Sequence, residues 1–366
     1  APTFTPLFLD REPAEAPKVV PVVFASDDAY APVLTVAIDS MLKNADPRRF
    51  YDVVVLTSNI SGDHQATMRA HLGRHANARI TFFDVWRMVK GYDLDTNNEH
   101  ISIETYYRFL VQDVLSAYNK VLYLDSDLVV EGDVAELFDT ELGDNLVAAT
   151  RDVDYLANLN LPDGDRLRYT RGVLKLKDPY DYFQAGVLVL NTKAMRALHT
   201  VPEWLKVSQR TDFIYNDQDI LNSECEGRVT YLDASWNVTN DIFHRATKLY
   251  PNAPAAVYDA YLASRRNPKI VHFAGAAKPW THGWIDLSEH FWSHARETPF
   301  YEAILVGLSK RQAQANGGGT LGNIAGHERA VSEKSPLRQL IDPIAPIGSA
   351  RREVLKSIGR GIRGRK

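Results

Sequence analysis

Apolar and polar positions alternate between two rhythms along the first third of the chain. Val19-Val20-Pro21-Val22-Val23-Phe24-Ala25 is a continuous apolar run that breaks into the turn-rich Ser26-Asp27-Asp28-Ala29-Tyr30-Ala31-Pro32, and a run of that length predicts a buried strand. From residue 33 the rhythm changes. Val33, Val36, Ala37 and Met41 recur at helical spacing, with Ala45 one turn on, which predicts a helix. Residues 52–57 predict a second buried strand, the polar residues 63–72 a helix, and residues 79–83 a third strand. Repeated strand-helix units predict a parallel sheet with helices on its faces.

Further along, Tyr107, Leu110, Val111, Val114 and Leu115 share one face of a helix predicted over residues 103–118, leaving Arg108 off the stripe and solvated in the commonest case. Residues 121–130 read as a strand buried on both faces, and residues 144–149 as another. Residues 153–181, rich in Tyr, Asp and Arg, read as a long excursion over a site. Residues 183–191 predict a strand whose Gly186 would allow close backbone approach. A helix follows near residues 201–210, and Asn216-Asp217-Gln218-Asp219 opens another. Ile270-Val271-His272 ends a last strand, followed by small residues, Lys278 and a Pro-Trp turn.

Composition places this pattern in an ordinary globular protein. The 366 residues are 45% hydrophobic and 24% charged, which excludes disorder for most of the chain. No apolar run approaches the roughly 18 residues of a membrane-spanning helix. The start, Ala1-Pro2-Thr3-Phe4, lacks the basic and apolar blocks of a signal peptide. A single cysteine, Cys225, cannot form an internal disulfide and fits a buried small hydrophobe better than a nucleophile. A cytoplasmic protein is expected, with no nucleic-acid partner.

The charge is uneven. Residues 351–366 hold seven Lys/Arg and one Glu, a net of +6, which leaves −10 of the total −4 for residues 1–350. Val354, Ile358 and Ile362 recur every four residues there, a basic amphipathic pattern suited to an anionic membrane surface on the inner face of the plasma membrane. Gly359, Gly361 and Gly364 weaken such a helix, so a solvated tail is the equal alternative. Three segments follow: an extended, proline-rich arm over residues 1–18, one domain over residues 19–300, and a C-terminal extension over residues 301–366 with a break at Asn316-Gly317-Gly318-Gly319.

The candidate chemistry lies in Leu124-Asp125-Ser126-Asp127-Leu128. Side chains at i and i+2 of an extended chain point the same way, so two carboxylates would share one point in space. Like charges that close repel unless a cation lies between them, and hard divalent cations favour oxygen ligands. The bland alternative is that one Asp caps a turn while the other is solvated. His272 alone would be a satisfied core histidine; beside the acid pair it supplies a third ligand and moves the preferred metal from Mg²⁺ towards Mn²⁺.

Six motifs in order resemble family 8 of the retaining glycosyltransferases: Phe24 to Tyr30, His100 to Arg108, Val121 to Asp127, Tyr182 to Gly186, Asp217 to Asn222, and His272 to Trp280. The resemblance covers about residues 19–285. It implies an α/β fold of the GT-A type, a Rossmann-like nucleotide-sugar-binding domain with a mixed, mostly parallel sheet, to which the chain adds a C-terminal helical and basic tail. It also implies a UDP-sugar donor and Mn²⁺, with Mg²⁺ as the substitute, held by Asp125, Asp127 and His272. Ala25, Asp27 and Tyr30 would surround the uracil. Ile101, Arg108, Ser126, Asp152, Gln184, Ala185 and Asp217 would line the donor, with Gly275 and Lys278 on its phosphates. Asp217, Gln218 and Lys278 would carry the chemistry, and His100, Thr239 and Gly275 would meet a glycan or glycolipid acceptor. Gln184 stands where close bacterial relatives have Asn, which unsettles the sugar preference. Two other readings stand: a phosphatase of the haloacid-dehalogenase type, whose acceptor Asp lies on the first strand, and a carbohydrate-binding protein without catalysis. The plainer reading of Asp217 and Asp219 is helix N-terminal charge.

Overall fold

The computed structural model describes Phe4 and residues 18–94 and 102–317. His100, Ile101, nearly all of the N-terminal arm, the end of the glycine-rich break and the basic tail lie outside the described residues.

Seven strands form the main sheet: β1 (Lys18–Ala25), β2 (Arg49–Thr57), β3 (Ala78–Asp84), β4 (Val121–Leu124), β6 (Val147–Ala149), β7 (Val187–Leu190) and β8 (Val229–Tyr231). Their order is β3-β2-β1-β4-β7-β6-β8. β7 alone runs against its neighbours β4 and β6. A smaller sheet is formed by β5 (Leu128–Val130), β10 (Ile270–His272) and β9 (Val238–Thr239), in that order. Successive residues of the central strands belong to different cores: Val23, Val54 and Tyr123 face one, Val22, Val53 and Leu122 the other. Burial on both faces is why these strands read as continuous apolar runs. The predicted strands and helices of the first eighty residues are all present, with helices Ala31–Lys43 and Gly62–Leu72 between them.

Two expectations are corrected. The run 121–130 is two strands in two sheets, and Asp125-Ser126-Asp127 is the crossing between them. Its polar groups are satisfied on both sides: Asp125 N–H donates to Gly186 O at 2.8 Å, the Ser126 hydroxyl to Ala25 O at 2.8 Å, and Phe273 N–H to Asp127 O at 2.9 Å. The helix predicted over 103–118 is a 3₁₀ helix, Ile103–Leu110, with one α-turn after it. Arg108 faces inward from it, buried among carboxylates rather than solvated.

Residues 153–181 fold back as the helices Val153–Leu159 and Asp165–Tyr169 and a π-turn, Thr170–Leu174. At the other end, the helix Tyr301–Gly317 buries Ile304 in the core that contains Phe300. No helix among the described residues is long and apolar enough to cross a membrane.

Candidate active site

The carboxyl ends of β1 and β4 open on one cavity of about 490 Å³, which is where open α/β sheets collect ligands. Asp125, Asp127 and His272 offer ligand atoms within 4.8 Å of one another there. His272 Nε2 lies 3.0 Å from Asp127 Oδ1 and 3.7 Å from Asp125 Oδ2. The other ring nitrogen is fixed by Asn237. The Asn237 amide donates to Gln184 Oε1 at 2.5 Å, so its oxygen faces His272 Nδ1 at 2.9 Å and the ring proton belongs on Nδ1. That leaves the Nε2 lone pair towards the two acids, as a metal-ligating histidine requires.

Gly186 makes this approach possible. A Cβ there would lie 2.3 Å from His272 Cε1 and 2.7 Å from Asp125 Oδ2, so no side chain fits. Hard oxygens with one imidazole, oriented from behind and with space cleared in front, fit a divalent cation.

Lys278, 7% exposed, donates to Asp127 Oδ2 and to Phe273 O. Burial pushes the Asp127 carboxyl up, but the Lys278 ammonium beside it draws it down, and it stays well below the usual range.

Arg108 ties the opposite wall together. Its guanidinium donates to Ala185 O at 2.5 Å and to Asp125 Oδ1 at 3.0 Å, and pairs with Asp217 Oδ2 at 2.9 Å, while stacking over the Tyr123 ring at 4.3 Å. Asp217 also accepts from the Thr105 hydroxyl at 2.5 Å. Burial raises Asp217 to about 6 against the pull of Arg108 and Thr105.

Beside it, Gln218 accepts from Ala185 N–H at 3.0 Å and donates to Asp152 Oδ2 at 2.9 Å. Asp152 caps the helix Val153–Leu159 through Tyr155 N–H at 2.9 Å. Burial, with Asp154 adding to it, raises Asp152 to about 6 as well.

Each predicted site residue among the described ones lines this cavity: Ala25, Asp27, Tyr30, Arg108, Asp125, Ser126, Asp127, Asp152, Gln184, Ala185, Asp217, Gln218, Thr239, His272, Gly275 and Lys278. At its β1 end Tyr30 packs edge-on against Trp280, centroids 6.0 Å apart, and its N–H donates to Asp27 Oδ1 at 2.8 Å. Gln184 Oε1 is taken up by Asn237 and by Gly186 N–H. It therefore supports the His272 side of the site as well as lining the cavity. Asn237, Tyr123 and Thr105 carried no signal of their own. Asn237 reaches His272 because β9, which follows it, pairs with β10 in the register Val238 to Val271, and such a long-range register is invisible in a local pattern.

Against known proteins, the model of glycosyl transferase family 8 matches residues 21–283, more than half the chain. The chain belongs to that family. General stress protein A of Bacillus subtilis (strain 168) is 24% identical over 76% of this chain and 95% of its own length. A lipopolysaccharide 1,3-galactosyltransferase of Salmonella typhimurium is 22% identical over 72% of this chain and 74% of its own. Among solved structures, the galactosyltransferase LgtC in complex with donor and acceptor sugar analogs superposes with a TM-score of 0.61 at 29% identity, covering 76% of this chain and 96% of that one. The WbbM bifunctional glycosyltransferase superposes at 0.72 with 32% identity over 84% of this chain, which spans about half, 53%, of that protein. The fold is therefore that of the GT-A glycosyltransferases, and the enzyme class is a transferase. Family membership sets the phosphatase reading aside.

Proposed function

We propose that this enzyme moves a hexose from a UDP-sugar, UDP-galactose or UDP-glucose first, to an acceptor hydroxyl, with retention and an α-glycosidic bond, in the assembly of a cell-surface glycan or lipopolysaccharide. The observation that carries this is the Asp125-Asp127-His272 cluster in the cavity at the strand ends, with Nε2 presented by Asn237 and clearance given by Gly186. The relatives' names support the sugar class: one is a galactosyltransferase of lipopolysaccharide, another a lipopolysaccharide 1,2-glucosyltransferase of Escherichia coli.

A Mn²⁺ ion held by these three residues would neutralise the charge that builds on the departing diphosphate. Lys278 adds an ammonium to the same side, and its buried setting strengthens what it offers the leaving group. Asp217 faces the sugar with a negative charge held in place by Arg108 and Thr105, where it shields an oxocarbenium-like centre. The Gln218 amide oxygen, which accepts from Ala185 N–H, keeps a lone pair for the same task.

A panel of UDP-sugars with Mn²⁺ tests the reading, with Asp125→Asn as the control. Turnover of one donor that falls at least a hundredfold in the variant is expected. A carbohydrate-binding protein would turn over none, and undiminished turnover in Asp125→Asn would remove the mechanism.

A further inference from the structure

The helix that presents Asp217 starts on a residue in an uncommon conformation. Asn216, its first residue, holds left-handed backbone with φ 46° and is buried. A Cβ crowds the neighbouring carbonyl there, so most residues avoid the region; glycine enters it freely and asparagine more readily than most. Of the five non-glycine residues with positive φ among the described ones, Asn216 alone adjoins an acid that lines the main cavity.

The chain on either side of Asn216 is pinned. Before it, the N–H groups of Ile214 and Tyr215 donate to Asp219 Oδ2 at 2.9 and 2.7 Å, so the chain enters by folding back on a carboxylate of the helix's own first turn. After it, Asp217 Oδ1 takes the Thr105 hydroxyl and Oδ2 pairs with Arg108. The Asn216 side chain is held from the same 3₁₀ helix, Ile103–Leu110, where the buried Tyr106 donates its hydroxyl to Asn216 Oδ1 at 3.3 Å. A return of φ to the usual negative range would turn the helix against the two amides before it. The chain would then give up the Asp219 bonds or absorb the turn at the next residue, Asp217. Backbone strain of this kind persists only where the surroundings over-determine it, and it gathers at functional sites.

We propose that Asn216 is a positioning residue for Asp217: its left-handed backbone sets the direction in which the carboxylate enters the cavity. Asn216 does not itself line the cavity, so it acts through its neighbour. This rests on the glycosyltransferase reading above and adds a residue to the machinery of that site. Asp217 works on charge that develops in the transition state, so a displaced carboxylate lowers kcat more than it changes the donor KM.

Two plainer roles would order substitutions differently. If Asn216 only filled space, alanine would serve better than glycine, which leaves the larger void. If it only had to be helical, alanine would again outrank glycine. Backbone direction reverses that order, because glycine takes a positive φ without strain and alanine does not.

The test uses the full chain with Mn²⁺ and the donor found by the panel, followed as donor hydrolysis, in Asn216→Gly, Asn216→Ala and Asn216→Val. Asn216→Gly is expected to keep kcat within about threefold of the parent, Asn216→Ala to lose about tenfold and Asn216→Val more, as a misplaced catalytic group does, with the donor KM within about threefold throughout. UDP with Mn²⁺, titrated by calorimetry, should bind every folded variant within about twofold of the parent, since the rest of the cavity is left in place. Should the alanine or valine variant fail to fold, Asn216→Gly still decides: a tenfold loss of kcat there overturns the positioning role on its own. So does a kcat of Asn216→Ala equal to or above that of Asn216→Gly, a KM that rises as far as kcat falls, or UDP affinity lost alongside, and each of these leaves the function standing. A parent enzyme that hydrolyses no UDP-sugar sinks this inference together with the function it rests on.

Discussion

Asp217 and Asp219 stand two residues apart on one helix, Asn216–Glu224, both buried and both with burial raising the carboxyl. Their partners differ. Asp217 faces the cavity and is held by Arg108 and Thr105. Asp219 points into the protein, where Tyr169 and Tyr182 hydroxyls donate at 2.6 Å each and the N–H groups of Ile214 and Tyr215 at 2.9 and 2.7 Å. Four donors saturate Asp219 and leave it a role in the scaffold, whereas Asp217 keeps an accessible neighbourhood. Both lie in the first turn of the helix, as the helix N-terminal reading has it, and both are buried there.

Isosteric amides break this comparison most sharply. Asp217→Asn should lower kcat by about 10²–10³, the scale for losing one charge-stabilising group, and should cost some stability too, because it leaves the buried Arg108 with Asp125 as its remaining carboxylate partner. Asp219→Asn should leave the folded enzyme most of its kcat and cost about 2 kcal/mol of stability, because the amide nitrogen faces donors from which it cannot accept. Thermal melting and single-turnover rates on the same preparations read both, and an Asp217→Asn enzyme with parental kcat ends the division of labour.

Gly186→Ala carries the contrast to the backbone. The added Cβ would press on both His272 and Asp125 Oδ2, so Mn²⁺ affinity, followed by calorimetric titration, should fall roughly 10–100-fold, the range for disturbed support of a metal ligand. Affinity within twofold of the parent would show that the histidine has another place to go.

The pH profile separates the acids more gently. With Asp217 raised to about 6, its charge is lost below that pH, and kcat/KM should fall about tenfold per unit there. Asp217→Asn should make this limb shallower, leaving the share of Asp152, which burial raises to about 6 as well. The linkage sign runs the other way for stability. Between the usual 3.8 and 6 the folded state holds a proton that the unfolded chain releases, so this group's contribution to stability declines as pH rises through that window.

The smallest effect is expected far from the cavity. Glu131 accepts from His290 at 2.7 Å and lies 3.4 Å from His294. Burial pushes Glu131 up, but the two imidazoles outweigh it and bring it to about 2, while the same hydrogen bond raises His290. Glu131's contribution is in force above 4.5 and lost as pH falls from there, and His290's is in force below 6.5 and lost above its raised value. Glu131→Gln should therefore lower the melting temperature by a few degrees at most, the response to about 1 kcal/mol, and most strongly between pH 4.5 and 6.5. An equal drop at pH 8 would assign the loss to packing.

Much of this was legible from residue order, and for physical reasons. Strands buried on both faces leave unbroken apolar runs, so β1, β2 and β3 could be read directly. The acid pair stood out because carboxylates inside such a run are costly, and Gly186 because a glycine in a strand asks for a close neighbour. What local pattern could not carry was direction. Arg108 seemed solvated because charge usually is, yet three acidic or carbonyl groups from distant segments draw it inward. The crossing between two sheets at Asp125-Ser126-Asp127 was hidden for the same reason: β4 and β5 are each apolar, and only their different partners, β7 and β10, separate them.

The span between Asp127 and His272 is 145 residues. Because β10 follows every strand of the main sheet, the third ligand is synthesised after the whole of that sheet. A contact of such sequence separation carries a loop-closure cost that neighbours in sequence do not. Nascent chains that end before β10 carry the two acids at the crossing without their imidazole.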